Sequence, residues 1–149
     1  MSITQNYVKN IGNAPLMAKD RRLDVIGDYA LEILSYAEGT SFDKRPYNKI
    51  RLKVLESSNP SLPVGSEVVH FISLDNVYTE TNIKLFLMAA FNQPAEQITV
   101  EVVEYCLGAT QPLAGRKLRA NVGMKTAGPK SKHAGKQFSD VSWTPYTAN

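Results

Sequence analysis

A chain of 149 residues with 43% hydrophobic and 21% charged content has the length and balance of one globular domain built round a single core. No apolar run reaches the roughly 20 residues that cross a bilayer, and the polar start MSITQNYVKN lacks the pattern of a secretory signal, so no membrane contact and a cytoplasmic location are expected. A lone cysteine, Cys106, excludes an internal disulfide, and two histidines, His70 and His133, are too few for a zinc cluster; no metal and no cofactor are expected.

Charge is unevenly spread behind a net value of +3: Gly115 to Ser139 holds seven basic residues and no acid, whereas Asp75 to Ala109 holds five acids against Lys84. In chain order, residues 1 to 24 show no clear periodicity and read as a polar N-terminal arm, leaving 25 to 149 as one domain. GDYALEILSY predicts a first strand, with Tyr29, Leu31 and Ile33 alternating against Asp28, Ala30 and Glu32. A loop marked by Gly39 and Pro46 follows and carries Phe42, Lys44, Arg45 and Tyr47.

YNKIRLKVLESS predicts a second strand with Ile50, Leu52 and Val54 toward the core and Tyr47, Lys49, Arg51 and Lys53 on the opposite face. After the turn NPSLPVGS, EVVHFISLD predicts a third strand with both faces partly covered, Val69, Phe71 and Ser73 opposing Val68, His70, Ile72 and Leu74. Thr79 or Thr81 is placed to cap a helix through NIKLFLMAAF that buries Ile83, Phe86, Leu87, Ala90 and Phe91 and stops at Asn92 and Pro94. PAEQITVEVVEYCLG fits a second helix opened by Pro94, with Ile98, Val102 and Cys106 inward, although its β-branched run alternates passably as a strand. AGRKLRANVGMKT and KQFSDVSWTPY predict strands four and five, joined by a glycine-rich loop with Lys125, Lys130, Lys132 and Lys136.

Three strands, a helical insert and two more strands make a mainly β chain. This order matches the five-stranded Greek-key barrel of the oligonucleotide-binding (OB) type, which binds through strands two and three and the loops joining strands one to two and four to five. On that fold the basic, aromatic-bearing elements form one surface suited to single-stranded DNA: cations follow the phosphates and exposed rings stack on unpaired bases. The phosphate contacts expected are Lys44, Arg45, Lys49, Arg51, Lys53, Arg119, Lys125, Lys130, Lys132 and Lys136. Phe42, Tyr47 and Trp143 are the leading stacking residues, with Tyr36 and Tyr146 behind them; a tyrosine at a strand end equally suits packing on the sheet, and Trp143 equally suits the core. RNA stays open beside DNA, since stacking and phosphate contacts do not exclude a 2′-hydroxyl.

For an enzyme the sequence offers little. There is no phosphate-binding glycine loop, nucleophile elbow or carboxylate cluster, and Glu101 and Glu104 read as a solvated helix face. Binding without catalysis is expected.

Taken together, GDYALEILSY, KIRLKVLESSNPSLPVGSEVVHFISLD, NIKLFLMAAF, PLAGRKLRANVGMKT and GKQFSDVSWTPY resemble small tailed-bacteriophage single-stranded DNA-binding proteins of the OB-fold type, over Gly27 to Tyr146. The resemblance implies a role in phage DNA replication or recombination, in the host cytoplasm. It carries over no individual binding residue. Proteins of this kind often end in an acidic recruiting tail, whereas no acid follows Asp140 here, so recruitment by such a tail is not expected. The alternative is a phage structural or host-interaction protein using the same barrel for protein contacts, with the arm Met1 to Asp20 adding to a neighbouring subunit in a homo-oligomer.

Overall fold

The computed structural model describes residues 21–129 and 135–147. Five strands, β1 (Gly27–Thr40), β2 (Pro46–Ser57), β3 (Glu67–Ser73), β4 (Lys117–Thr126) and β5 (Gln137–Pro145), form one antiparallel sheet in the order β3-β2-β1-β4-β5. Helices α1 (Thr79–Phe91) and α2 (Val100–Leu107) stand between β3 and β4, where the helical insert is expected. No helix among the described residues is long and apolar enough to cross a membrane.

The alternation read in β2 is the alternation found. Ile50, Leu52 and Val54 are fully buried, while Arg51 and Lys53 are exposed on the opposite face. β1 departs from strict alternation, with register shifts against β2 between Ala30 and Leu31 and between Ile33 and Ser35. The second shift skips Leu34, so Ser35 faces outward opposite Arg51 and Tyr36 turns into the core. Tyr36 is therefore no stacking residue: its ring lies 5.9 Å from Phe86, its hydroxyl accepts a 2.5 Å bond from Asn48 Nδ2, and burial drives its pKa upward.

β4 pairs with β1 only as far as Glu32. Ile33 still pairs through its backbone, its N donating to Arg116 O and its O accepting from Gly115 N, both at 2.8 Å, and at Tyr36 a side chain takes over: Gln111 accepts from Tyr36 N at 2.9 Å through Oε1 and donates to Tyr36 O at 3.0 Å through Nε2. One amide thus satisfies both backbone groups of a buried strand residue that would otherwise be left unpaired.

The helices differ from expectation at their starts. Neither Thr79 nor Thr81 caps α1, whose N-cap is Tyr78 without a side-chain bond; Thr79 Oγ1 instead donates to Ser73 O at 2.8 Å, tying the helix to the end of β3. Pro94 opens a 3-10 turn, Ala95–Gln97, and α2 begins after Thr99, whose Oγ1 accepts from Val102 N. Asn92 ends α1 in the left-handed conformation, as its place before Pro94 suggests. Phe86, Leu87 and Cys106 are fully buried against the sheet.

The sheet does not close on itself among the described residues; β3 and β5 are its edges. The end of the expected arm explains the gap. Leu23 N donates to Val69 O at 2.9 Å and Val69 N donates to Arg21 O at 2.8 Å, so residues 21–23 occupy the edge of β3 that a fifth strand would need. Leu23 is buried there, and Trp143 on β5 fills the space behind, edge-on to both His70 and Phe86 at 5.1 Å. Residues 1–20 of the arm lie outside the described residues.

Candidate nucleic-acid interface

Three of the outward side chains of β1 are small. Ser35, Ala37 and Gly39 lie directly opposite Arg51, Lys49 and Tyr47 of β2, so long cationic and aromatic side chains rise beside a low floor. Gly39 is required by this packing: a Cβ there would lie 2.8 Å from Tyr47 Oη and 2.9 Å from two ring carbons, so the ring is laid over bare backbone. On its far side Tyr47 meets Phe71 of β3 edge-to-face, with centroids 5.0 Å apart at 89°. The Arg22 guanidinium lies 5.1 Å from the Phe71 centroid. The result is a half-buried aromatic pair with cations on either side.

One end of this face is bounded by the β1–β2 turn. Its backbone is pinned by Lys44 N to Ser41 O and Ser41 N to Arg45 O, both 2.9 Å, and by Arg45 N to Ser41 Oγ at 3.0 Å. Ser41 Oγ also donates to Asp43, whose carboxylate pairs with Arg45 at 3.2 Å. These contacts, Ser41 first, hold the Asp43 carboxyl below its usual range. With its neighbours tied to one another, Phe42 is left fully exposed at the tip, next to Lys44 in the left-handed conformation.

The other boundary is the seam between β3 and β5. A cleft of about 310 Å³ runs there past Arg22, His70, Phe71, Ser139 and Asp140, so the base of the β4–β5 hairpin approaches the same edge of the face. His70 in its wall is pushed down to about 4 by burial and then by the Arg22 charge, which keeps it neutral. Lys125 and Phe138 are cross-strand partners on the hairpin, and Phe138 is half exposed. Among the described residues no three acidic, histidine or cysteine side chains group as a metal site would require.

No family model matches the chain, and no curated protein matches it.

Of the expected contacts, Tyr47, Lys49, Arg51 and Lys53 share one face of β2, and Phe42, Lys44 and Arg45 share the adjoining turn. Several cations have carboxylate partners: Arg51 with Glu67 at 3.7 Å, Arg119 with Glu56 at 3.0 Å and Lys125 with Asp140 at 3.1 Å. Such exposed pairs are worth about 0–1 kcal/mol, so they hold these cations only weakly. Lys44 and Lys53 make no ion pair among the described residues.

Other expected contacts fall elsewhere. Arg119 is opposite Ala30, nine residues along β1 from Gly39, or roughly 30 Å of strand. Trp143 is engaged with His70 and Phe86 behind the seam, apart from Tyr47. Lys136 is exposed at the hairpin end, its carbonyl accepting from Ala127 N, while Lys130 and Lys132 lie outside the described residues. The sequence reading missed Phe71, Arg22 and the floor of Ser35, Ala37 and Gly39. Phe71 was legible from the β3 alternation that sets it on the face of Val69 and Ser73; Arg22 was not, since only the docking of its segment brings it there.

Proposed function

We propose that the protein binds single-stranded nucleic acid, DNA first, along the outer face of β2 and β3, and does so without catalysis. The observation that carries this reading is the Tyr47–Phe71 pair set among Arg22, Lys49 and Arg51 above a floor of small residues. Rings of this kind accept unpaired bases, each stack contributing about 1–3 kcal/mol, while the cations bind phosphate with an affinity that falls with salt. A duplex gains little from such a face, because its bases are already stacked.

The strand order supports the same reading. Five antiparallel strands in a partly open sheet, with ligand on strands two and three and the flanking loops, is the plan of the OB fold; here residues 21–23 fill the place between β3 and β5. The resemblance to single-stranded DNA-binding proteins of tailed bacteriophages points the same way and suggests replication or recombination as the setting.

The test is fluorescence anisotropy with labelled oligo-dT at two salt concentrations, with duplex of equal length as competitor. Salt-sensitive binding that duplex fails to displace is expected. Absence of binding at low salt, or displacement by duplex at equal concentration, refutes the proposal. A second reading, a protein-binding module, is favoured by a different surface: Val77, Tyr78, Leu85, Val100 and Tyr105 are exposed on and around the helices, beside an apolar groove between α1 and α2 lined by Ile83, Ile98 and Val103.

A further inference from the structure

The cations at the start of β4, Lys117 and Arg119, lie away from the β2–β3 face, opposite Glu32 and Ala30. Lys53, Glu32 and Lys117 are direct cross-strand partners on the outer face of β2, β1 and β4. Leu118 pairs with Pro145, so Tyr146 follows β5 at the level of Lys117. Its ring lies 5.6 Å from Lys117 Nζ and 5.2 Å from Arg119 Cζ. In the same cleft, of about 350 Å³, Arg116 sits 4.6 Å from the Phe91 centroid. Arg116 and Lys117 make no ion pair among the described residues.

We infer that Tyr146, with Lys117 and Arg116, is a second stacking and phosphate station for the same single strand, reached from Tyr47 by way of Lys49, Arg51 and Lys53. The inference rests on the nucleic-acid reading above and extends it. The chemistry of the station repeats that of the first, a tyrosine ring beside cations, and the sheet register joins the two. Six residues along β2 and two strand spacings separate Tyr47 from Lys117, roughly 20 Å and roughly 10 Å of surface. A short oligonucleotide engages one station and a longer one engages both, within the 4–16 nucleotides that one such domain typically covers. Glu32 is the one carboxylate in direct register between the two lysines, so it opposes the crossing strand.

The test compares oligo-dT of about five and about fifteen nucleotides on the full chain, within the range of site sizes known for such domains. Tyr146→Ala is expected to weaken the longer oligonucleotide about tenfold and leave the shorter one unchanged. Glu32→Lys is expected to tighten the longer one and to steepen its log–log salt slope by about 0.7, the increment for one added phosphate contact on a single strand. It also keeps the inference testable if Tyr146→Ala disturbs the fold, which thermal unfolding reports. Equal weakening of both lengths by Tyr146→Ala, or a Glu32→Lys salt slope like that of the wild type, overturns the second station while leaving binding at Tyr47 intact. Failure of the wild type to bind either length overturns both.

Discussion

Gly39→Ala is the smallest change that separates the shape of the proposed site from its charge. The added methyl would lie 2.8 Å from Tyr47 Oη and 2.9 Å from two ring carbons, nearer than real Cβ atoms approach, so the ring must leave its seat. Displacing it breaks the edge-to-face contact with Phe71, worth about 0.5–1.5 kcal/mol. Replacing glycine inside a strand returns roughly 0.5–1 kcal/mol by restricting the unfolded chain, so the stability of the variant should stay near that of the wild type. Binding should not: loss of one stack of about 1–3 kcal/mol lowers the affinity for oligo-dT by about fivefold to about a hundredfold. The assay is a double-mutant cycle with Tyr47→Ala, reading oligo-dT affinity and chemical denaturation on all four proteins. Gly39→Ala should have almost no effect on binding once Tyr47 is gone. Wild-type affinity in Gly39→Ala, or an equal loss in the Tyr47→Ala background, would refute the argument that the glycine seats the ring.

Phe42→Ala removes a fully exposed ring whose neighbours are held by the turn, so unfolding should be unchanged while oligo-dT affinity falls by about fivefold or more; equal affinity would remove the turn from the site. Asn48→Ala leaves the buried Tyr36 hydroxyl without the 2.5 Å bond that now satisfies it and should cost about 1–3 kcal/mol in urea unfolding, with Tyr36→Phe restoring part of the loss in the double variant. His70 is held neutral with a pKa of about 4 against its ordinary 6.5, so the stability it contributes is full above 6.5 and is lost as pH falls from there toward 4, roughly 3 kcal/mol in all. His70→Gln should flatten unfolding stability across that window, and a slope equal to the wild type's would show that the seam does not exclude the charged imidazole.

Much of the architecture was legible because periodicity and turn chemistry are local. KIRLKV alternates so regularly that its buried and exposed faces could be assigned residue by residue, and Asn92 with Pro94 marks the end of α1 by backbone chemistry alone. What escaped depends on register or docking. Tyr36 falls on the outer face if β1 is read by strict alternation, and only the extra residue at Leu34 turns it inward. Arg21–Leu23 carries no strand pattern, yet its hydrogen bonds to Val69 keep β3 and β5 apart. The basic stripe was read correctly as a face, but the acids that neutralise parts of it, Glu67 for Arg51 and Glu56 for Arg119, come from distant points in the chain and meet their partners through the sheet. The expected contacts were read as one surface because sequence order gives no distance; the register sets Arg119 nine residues along β1 from Gly39.

The most direct test of the central claim is a backbone amide chemical-shift titration of the isotope-labelled protein with oligo-dT. Saturable shifts are expected at Ser35–Gly39, Phe42–Lys53 and Phe71, with α1 and α2 little affected. Shifts confined to the helices, or no shifts at millimolar oligonucleotide in low salt, would contradict that claim.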